Sequence, residues 1–382
     1  MGEFKKAFTA DTDVKLRTHI GGQALIEGIM MRGRYNWAVA IRQPDGEIYT
    51  EEHDLVSGRK KNSWMYWPII RGCTAFVESL VLGYKALQIS SEHAYDWDEE
   101  DENVANSSGE GAGATAVQAS GEVAGPESKQ KGAGESAKGG ESDGMGIWMT
   151  ISMIVGLVLG VVIFVVAPAA VSNLVLGEQA MNTAGWNIFD GILRVAIFIA
   201  YIWLISLMKD IKRMFGYHGA EHKTIHCFEH GDAMVPECAM KYPRLHVRCG
   251  TAFMIMVMII AIFIYTVLGQ PINALVDLTG ITEGPLRFVL IVLTRIVLMP
   301  IIAGCSYEVT VKWAGKRPEN PLVKVILWPG MQMQRLTTNP PDESMIECAI
   351  AAMDLVLARE KREEEAAEAE KAAQGELAAQ PA

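Results

Sequence analysis

The chain has 382 residues, half of them hydrophobic, and a formal net charge of −11. The acidic excess is confined to residues 94–146 and to the tail from Arg359, so the rest is nearly neutral and the charge indicates neither an acidic nor a basic substrate. Six scattered cysteines without a Cys-x-x-Cys pair favour free thiols on a reducing side over a disulfide framework.

Residues 1–62 are predicted to form a small cytoplasmic α+β unit. They contain no apolar stretch typical of a signal peptide. WAVAIR (37–42) and EIYTEE (47–52) are typical of two strands, and the Asp-Gly pair between them predicts a hairpin. Glu27 lies before them in the glycine-bracketed stretch GGQALIEGIMMRG. We interpret it either as a site carboxylate or as a buried carboxylate that stabilises a turn.

Residues 63–93 are predicted to form an amphipathic helix. Arg71, Glu78 and Lys85 recur every seven residues in an otherwise apolar stretch, so a helix would carry one narrow polar stripe. We expect it to lie in the membrane interface or to dock on a transmembrane bundle. The alternative is a fifth span, which three charges at mid-membrane disfavour. Residues 94–146, rich in Gly, Ser, Ala and Glu, predict a disordered acidic linker.

Four apolar runs are long enough to cross a bilayer, which takes about 20 residues. They cover roughly 147–170, 188–208, 251–269 and 286–306, within a predicted transmembrane domain at 147–309. We therefore expect a mainly α, polytopic helical membrane protein with four transmembrane helices and the lipid bilayer as a partner.

The loops between these runs predict the orientation. Loops 171–187 and 270–285 contain no Lys or Arg, whereas loop 209–250 contains seven. By the positive-inside rule, loop 209–250 and both termini lie in the cytoplasm. The expected location is the plasma (inner) membrane.

Two arginines lie within the predicted spans. Arg194 follows Asp190 by one helical turn, which indicates an ion pair on one helix. Arg295 has no such partner in its own run. Charges inside a membrane are usually functional or paired across a bundle, and we favour structural pairing for Arg295.

The C-terminal segment, residues 310–358, is punctuated by proline and glycine and ends in a second amphipathic helix. Its apolar face is predicted from Ile346, Ile350 and Met353 at helical spacing. Residues 359–382, rich in Glu and Ala, predict a disordered, solvated tail.

The cytoplasmic loop 209–250 contains the pattern His-x-x-Glu-His twice, at 218–222 and 226–230. On a helix, His218 and His222 share a face and could bind one zinc or another divalent ion. In the inverted zincin arrangement the glutamate, here Glu221, is the catalytic base. Four residues are candidates for a third ligand: His246, Cys249, Glu229 and Glu308. We expect Gly216 and Gly219 to break the helix at this corner.

The histidines have a simpler alternative, hydrogen bonding to lipid phosphates or to neighbouring carboxylates. The second copy, His226 to His230, could also hold the site or merely extend a polar helix face. Other chemistries lack their motifs, since there is no dinucleotide fingerprint, P-loop or Gly-x-Ser-x-Gly elbow. No basic and aromatic platform indicates direct nucleic-acid binding.

Five motifs carry a family resemblance. They are GGQALIEGIMMRG, YHGAEHKTIHCFE, RCGTAF, AGCSYE and PGMQMQRLTT, in order between about residues 19 and 357. Together they resemble the DUF1385 family of YqhQ-like bacterial membrane proteins, whose members are often labelled predicted metal-dependent enzymes. The resemblance implies motif roles, but no particular reaction, for these residues: Glu27, His218, Glu221, His222, Arg248, Cys249, Tyr307, Glu308, Gln334 and Thr337.

The sequence departs from this family at one place. Val247 stands where the family has proline in His-Pro-Arg-Cys-Gly, while His246 and Cys249 remain. The family pattern does not include His226 and His230, which favours the first His-x-x-Glu-His copy.

Two functions follow as expectations. The first is a cytoplasm-facing, juxtamembrane metal site, built from the N-terminal unit, loop 216–249 and the end of span four, that serves a metal-dependent hydrolase. The second is a non-enzymatic accessory or scaffold protein that binds another membrane complex or one linked to translation or translocation. The substrate, the partner and the oligomeric state stay open.

Overall fold

The structure is a computed structural model of the chain. It describes the ranges 14–16, 18–55, 67–94, 154–177, 183–314 and 320–378, with a few isolated residues between them. The linker predicted at 94–146 therefore lies outside the described residues, apart from Ala94. The chain divides into two compact units, residues 1–95 with 164–382 and residues 96–163, and the interactions described below lie within the first.

The N-terminal unit is a four-stranded antiparallel meander. Its strands are β1 (Gly21–Leu25), β2 (Gly28–Arg32), β3 (Asn36–Arg42) and β4 (Ile48–Asp54), in that spatial order. The predicted hairpin is the β3–β4 pair, in which Val39 lies opposite Glu51. Gly46 turns the chain between these strands with φ 90°, a conformation that glycine adopts without steric cost.

The helices account for most of the remaining described chain. In chain order they are α1 (Ile70–His93), α2 (Ile154–Leu176), α3 (Ala184–Ile205), α4 (Lys209–His230), α5 (Pro236–Ala239), α6 (Gly250–Asp277), α7 (Pro285–Tyr307), α8 (Pro321–Thr337) and α9 (Glu343–Ala378). A π-helical turn, Glu308–Trp313, continues α7.

Four of these helices are long and apolar enough to span a membrane, which confirms the predicted fold class. They are α2, α3, α6 and α7, the last with its π-helical extension to Trp313. The predicted ends shift by several residues. The side chain of Thr183 caps α3 by accepting a hydrogen bond from the Trp186 amide. At the far end of α6, Pro271 is accommodated inside the helix, which continues to Asp277.

The sheet is covered on both faces, so its strands are apolar on both sides. Met30, Val39 and Ile41 pack toward Ala86 of α1. The opposite face, with Ile29, Met31, Ala38 and Ala40, packs against α4 and α9. Strand β1 also contacts α4. The sheet thereby holds the helix that carries the histidines.

Helix α1 contacts both α7 and the sheet along its polar stripe. Arg71 forms a bidentate ion pair with Glu308, with Nε 2.6 Å from Oε1. Two helical turns further on, Glu78 accepts a hydrogen bond from Arg32 at 3.3 Å. Gly72 lets the helices approach, because a Cβ there would lie 2.9 Å from the Cα of Gly304. Two of the three charges that disfavoured a fifth span, Arg71 and Glu78, are therefore paired, and the third, Lys85, is exposed.

The intramembrane charges pair across the helix bundle. Asp190 Oδ2 accepts hydrogen bonds from Arg194 at 3.0 Å and from Arg295 of α7 at 2.7 Å. Arg295 also donates to Asn187 of α3, and its guanidinium lies 4.7 Å from the ring centroids of Trp186 and Tyr265. Both the pair within α3 and the predicted cross-bundle pairing of Arg295 are present.

The expectation that Gly216 and Gly219 break the helix is wrong. Helix α4 runs unbroken through both to His230, and Gly231 caps its C-terminus with φ 69°. The glycines instead permit a close approach of the chain after α8. A Cβ on Gly219 would lie 2.2 Å from the carbonyl oxygen of Asn339, and one on Gly216 would lie 2.7 Å from the Met345 sulfur.

The structure of the tail from residue 359 also differs from the predicted disorder. Helix α9 continues to Ala378, because Glu, Ala, Lys and Arg are strong helix formers. Ion pairs on its first exposed turns support the extension: Arg359 lies 3.1 Å from Asp54 and donates to Glu363 one turn on.

Candidate metal centre

Helix α4 places His218 and His222 on one face, and Cys249 faces them from the start of α6. Cys249 is the N-cap residue of α6, with its Sγ 3.4 Å from the Thr251 amide. The His218 Nε2 lies 3.1 Å from the Cys249 Sγ. One ligand atom from each of the three residues lies within 4.8 Å of the others.

Backbone carbonyls fix the orientation of both imidazoles. The Nδ1 of His218 donates to the Thr337 carbonyl at 2.8 Å, and the Nδ1 of His222 donates to the Arg244 carbonyl at 2.5 Å. A carbonyl only accepts, so each ring carries a proton on Nδ1, and Nε2 is the nitrogen through which the neutral imidazole would bind a metal. Histidine ligands of metals are commonly held in this way.

The donor set fits a divalent metal ion. The His222 Nε2 is buried, and within the described part of the chain the facing Cys249 sulfur is the polar group that interacts with it, an arrangement that a cation between the two atoms would satisfy. Two imidazole nitrogens and one thiolate suit zinc.

The surroundings of Cys249 favour its thiolate form. Burial by itself raises the pKa of Cys249, but His218 and His222 beside it outweigh burial and lower that pKa well below its usual value. In turn, burial lowers the pKa of His218, yet the facing Cys249 and then Glu221 raise it to about 9. A thiolate is the form of cysteine that binds metals.

Glu221 lies beside these ligands, buried at 6% exposure. Burial raises its pKa, against the lowering effect of His218 and His222. The amide of Gly22 in β1 donates to its Oε1 at 3.0 Å. A Cβ on Gly22 would lie 2.9 Å from the Glu221 Cδ, so glycine is needed for this approach. The sheet therefore closes over the glutamate.

His246 belongs to a second group, with His226 and Glu229. Its ring centroid lies 4.7 Å from that of His226 and 5.7 Å from that of His222. Burial, followed by the charge of Arg248, lowers the pKa of His246 well below its ordinary value. Cys249, rather than His246, therefore completes the first group.

Comparison with known proteins gives the family. The model "Protein of unknown function (DUF1385)" matches residues 67–359. The chain belongs to the DUF1385 family. The chain is 28% identical over 348 residues to a Bacillus subtilis (strain 168) protein, "Uncharacterized protein YqhQ", and the alignment covers 90% of this chain and 94% of that protein. No solved structure matches the chain significantly.

Two residues of the DUF1385 motifs support the histidine groups directly. Gln334 of α8 holds His246 by both backbone groups, accepting from its amide at 2.9 Å and donating to its carbonyl at 2.8 Å. Arg248 donates to Glu229 and, at 2.8 Å, to the carbonyl of Thr18. These residues position the loop before α6.

Three other motif residues lie apart from the three ligands. Glu27 forms a bidentate pair with Arg213 at 2.5 Å and accepts from Tyr217 at 3.2 Å, so it fastens the β1–β2 turn to α4. Glu308, a candidate third ligand, is paired with Arg71 instead. Its neighbour Tyr307 packs against Gly72, whose added Cβ would lie 2.8 Å from the tyrosine Cβ.

Some contributors were missed by the sequence reasoning. The carbonyl of Arg244 orients His222, and the Thr18 amide donates to Glu229 at 2.9 Å. Both act through backbone atoms, which every residue type possesses, so no residue pattern marks them.

Proposed function

We propose that this DUF1385 protein carries a divalent-metal site, best suited to zinc, at the edge of its transmembrane bundle. The ligands are His218, His222 and Cys249. One observation carries the proposal: two carbonyl-oriented Nε2 atoms and one sulfur converge within 4.8 Å. Three protein ligands leave a position open, as is typical of catalytic rather than structural zinc.

The activity that this arrangement supports best is hydrolysis. When bound, a divalent ion at these side chains acts as a Lewis acid toward the carbonyl or phosphoryl group of a substrate. Glu221, outside the three-ligand group, accepts the proton of an attacking water. Its raised pKa makes it a stronger base than an exposed carboxylate once ionised. The Gly22 amide keeps one carboxylate oxygen fixed during this transfer.

Metal analysis of the full-length protein in detergent tests the proposal. We expect about one zinc per chain to be lost in Cys249→Ser and His222→Ala and kept in Glu221→Gln. A panel of ester and phosphate substrates should lose turnover with E221Q. The matched control is His230→Ala on the same helix, whose Nδ1 donates to the His226 carbonyl. Zinc content that is unchanged in both ligand variants would contradict the site.

We place the site on the cytoplasmic side. The support is the distribution of basic residues, seven in residues 209–250 and none in 171–187 or 270–285. Reporter fusions at Gly177 and Gly280 should behave as external, and a fusion within residues 232–235 as cytoplasmic. The opposite pattern would put the histidines outside the cell.

A scaffold role is the second candidate. Helix α1 leaves an apolar face uncovered, with Phe76, Val77, Leu80 and Val81 each 44–57% exposed. That face suits the membrane interface or a partner helix. A stable membrane-protein partner that is lost in Val77→Glu/Val81→Glu, with zinc absent from wild type, would favour the scaffold over the enzyme.

A further inference from the structure

A second cluster of metal-ligand side chains lies one turn further along α4. His226 and Glu229 project from this helix, and His246 faces them from the loop before α6. All three are buried, with 4% exposure or less. One ligand atom from each lies within 4.8 Å of the others. The site proposed above uses none of them.

Two atoms of this cluster are buried and lack hydrogen bonds to any described residue. The His226 Nε2 donates to the Leu245 carbonyl at 3.1 Å, so its Nδ1 carries the lone pair and has no donor. The Glu229 Oε2 also has no donor, and it lies 3.8 Å from the His246 Nε2. Buried acceptors without donors are costly, and a cation between them removes that cost.

The other carboxylate oxygen of Glu229 is held by two donors. Its Oε1 accepts from Arg248 and from the Thr18 amide, which leaves Oε2 directed toward the histidines. Second-shell donors on one oxygen commonly orient a carboxylate that ligates through the other. Arg248 Nη2 also lies 3.3 Å from the His246 Nε2. Metal binding at the His246 Nε2 requires this guanidinium, whose side chain is 29% exposed, to leave that nitrogen.

We propose that His226, Glu229 and His246 bind a second divalent first-row metal ion. Two imidazoles and one carboxylate suit zinc, manganese or ferrous iron. No thiolate takes part, so the second site is harder than the first. The doubled His-x-x-Glu-His pattern then has a structural meaning, because each copy contributes to its own ion.

Cobalt titration of the full-length, chelator-stripped protein in detergent separates the two sites. Only the site with Cys249 gives a thiolate-to-cobalt charge-transfer band in the near ultraviolet. We expect two equivalents to bind in wild type, of which one develops that band. His226→Ala should bind one equivalent and keep the band, whereas Cys249→Ser should bind one equivalent without it.

Controls keep the two sites distinguishable. Glu229→Gln tests the carboxylate, but Glu229 also accepts a hydrogen bond from the Thr18 amide. His226→Ala is therefore the primary variant. Thermal melting shows whether both variants remain folded. His230→Ala should bind like wild type. A single equivalent that carries the full thiolate band in wild type, or two equivalents that persist in His226→Ala, overturns the second site and leaves the first.

Discussion

The Nε2 of His218 lies 3.1 Å from the Sγ of Cys249, although the two residues are 31 positions apart in the chain. His218 is fixed within α4 and by the Thr337 carbonyl of α8, while Cys249 is fixed as the N-cap of α6. Three helices therefore converge on one sulfur–nitrogen contact. Each partner is therefore held independently of the other.

Cysteine reactivity should separate Cys249 from two buried cysteines. Burial raises the pKa of Cys227 and of Cys348 to about 11, so only about one in ten thousand of these thiols ionises at neutral pH. Burial also opposes ionisation of Cys249, but His218 and His222 reverse it. We expect iodoacetamide to alkylate Cys249 first in metal-free protein, as measured by peptide mass spectrometry.

His218→Ala should slow alkylation of Cys249, and added zinc should block it in wild type. If Cys348 were labelled as fast as Cys249 in protein that remains folded, the lowered pKa of Cys249 would be contradicted.

Gly22→Ala should displace Glu221. The added methyl would lie 2.8 Å from the Met30 carbonyl oxygen and 2.9 Å from the Glu221 Cδ, so the strand or the carboxylate must shift. We expect a stability loss of about 1–3 kcal/mol and impaired hydrolysis with metal retained. Gly21→Ala is the matched control because a Cβ there meets nothing within 4 Å. Equal effects of the two substitutions would argue against the close approach.

The fold was predictable where a pattern is local and long. A run of about 20 apolar residues indicates a span whatever its surroundings, and the Asp-Gly turn fixes the β3–β4 hairpin. Helix α4 was mispredicted at Gly216 and Gly219 because glycine breaks a helix only on average. Here it is required by the Asn339 carbonyl and by Met345, more than 100 residues away in sequence.

The site was predictable only where its residues form a local sequence pattern. His218 and His222 follow from i, i+4 spacing on one helix. The third ligand depends on tertiary contacts, so the sequence narrowed the four candidates to His246 and Cys249 but could not choose between these two. Glu308 is not a ligand in this arrangement because it pairs with Arg71, 237 positions earlier in the chain, and no local pattern predicts that pair.

Gln334→Leu should loosen the loop that carries His246. The amide side chain accepts from the N–H of His246 and donates to its carbonyl, which also accepts from the Cys249 amide at 3.4 Å. A buried polar group that loses such a hydrogen bond costs about 1–3 kcal/mol, so we expect a loss of about 1–3 kcal/mol by thermal melting. Gln332→Leu, half-buried two positions earlier in α8, should change stability little. A smaller loss of stability in Gln334→Leu than in Gln332→Leu would contradict the role of Gln334 in holding His246.

Asp190→Asn should be the most damaging conservative change in the membrane domain. Asp190 is the carboxylate that accepts from both Arg194 and Arg295, and its side chain is 2% exposed. Removing its charge leaves two buried guanidinium groups uncompensated, which costs about 3–5 kcal/mol. Asp277→Asn breaks the ion pair with Arg287 on a half-exposed side chain, and we expect at most about 1 kcal/mol there. Thermal unfolding in detergent compares the two variants, and an Asp190→Asn protein as stable as the Asp277→Asn protein would show that the buried cluster does not hold α3 to α7.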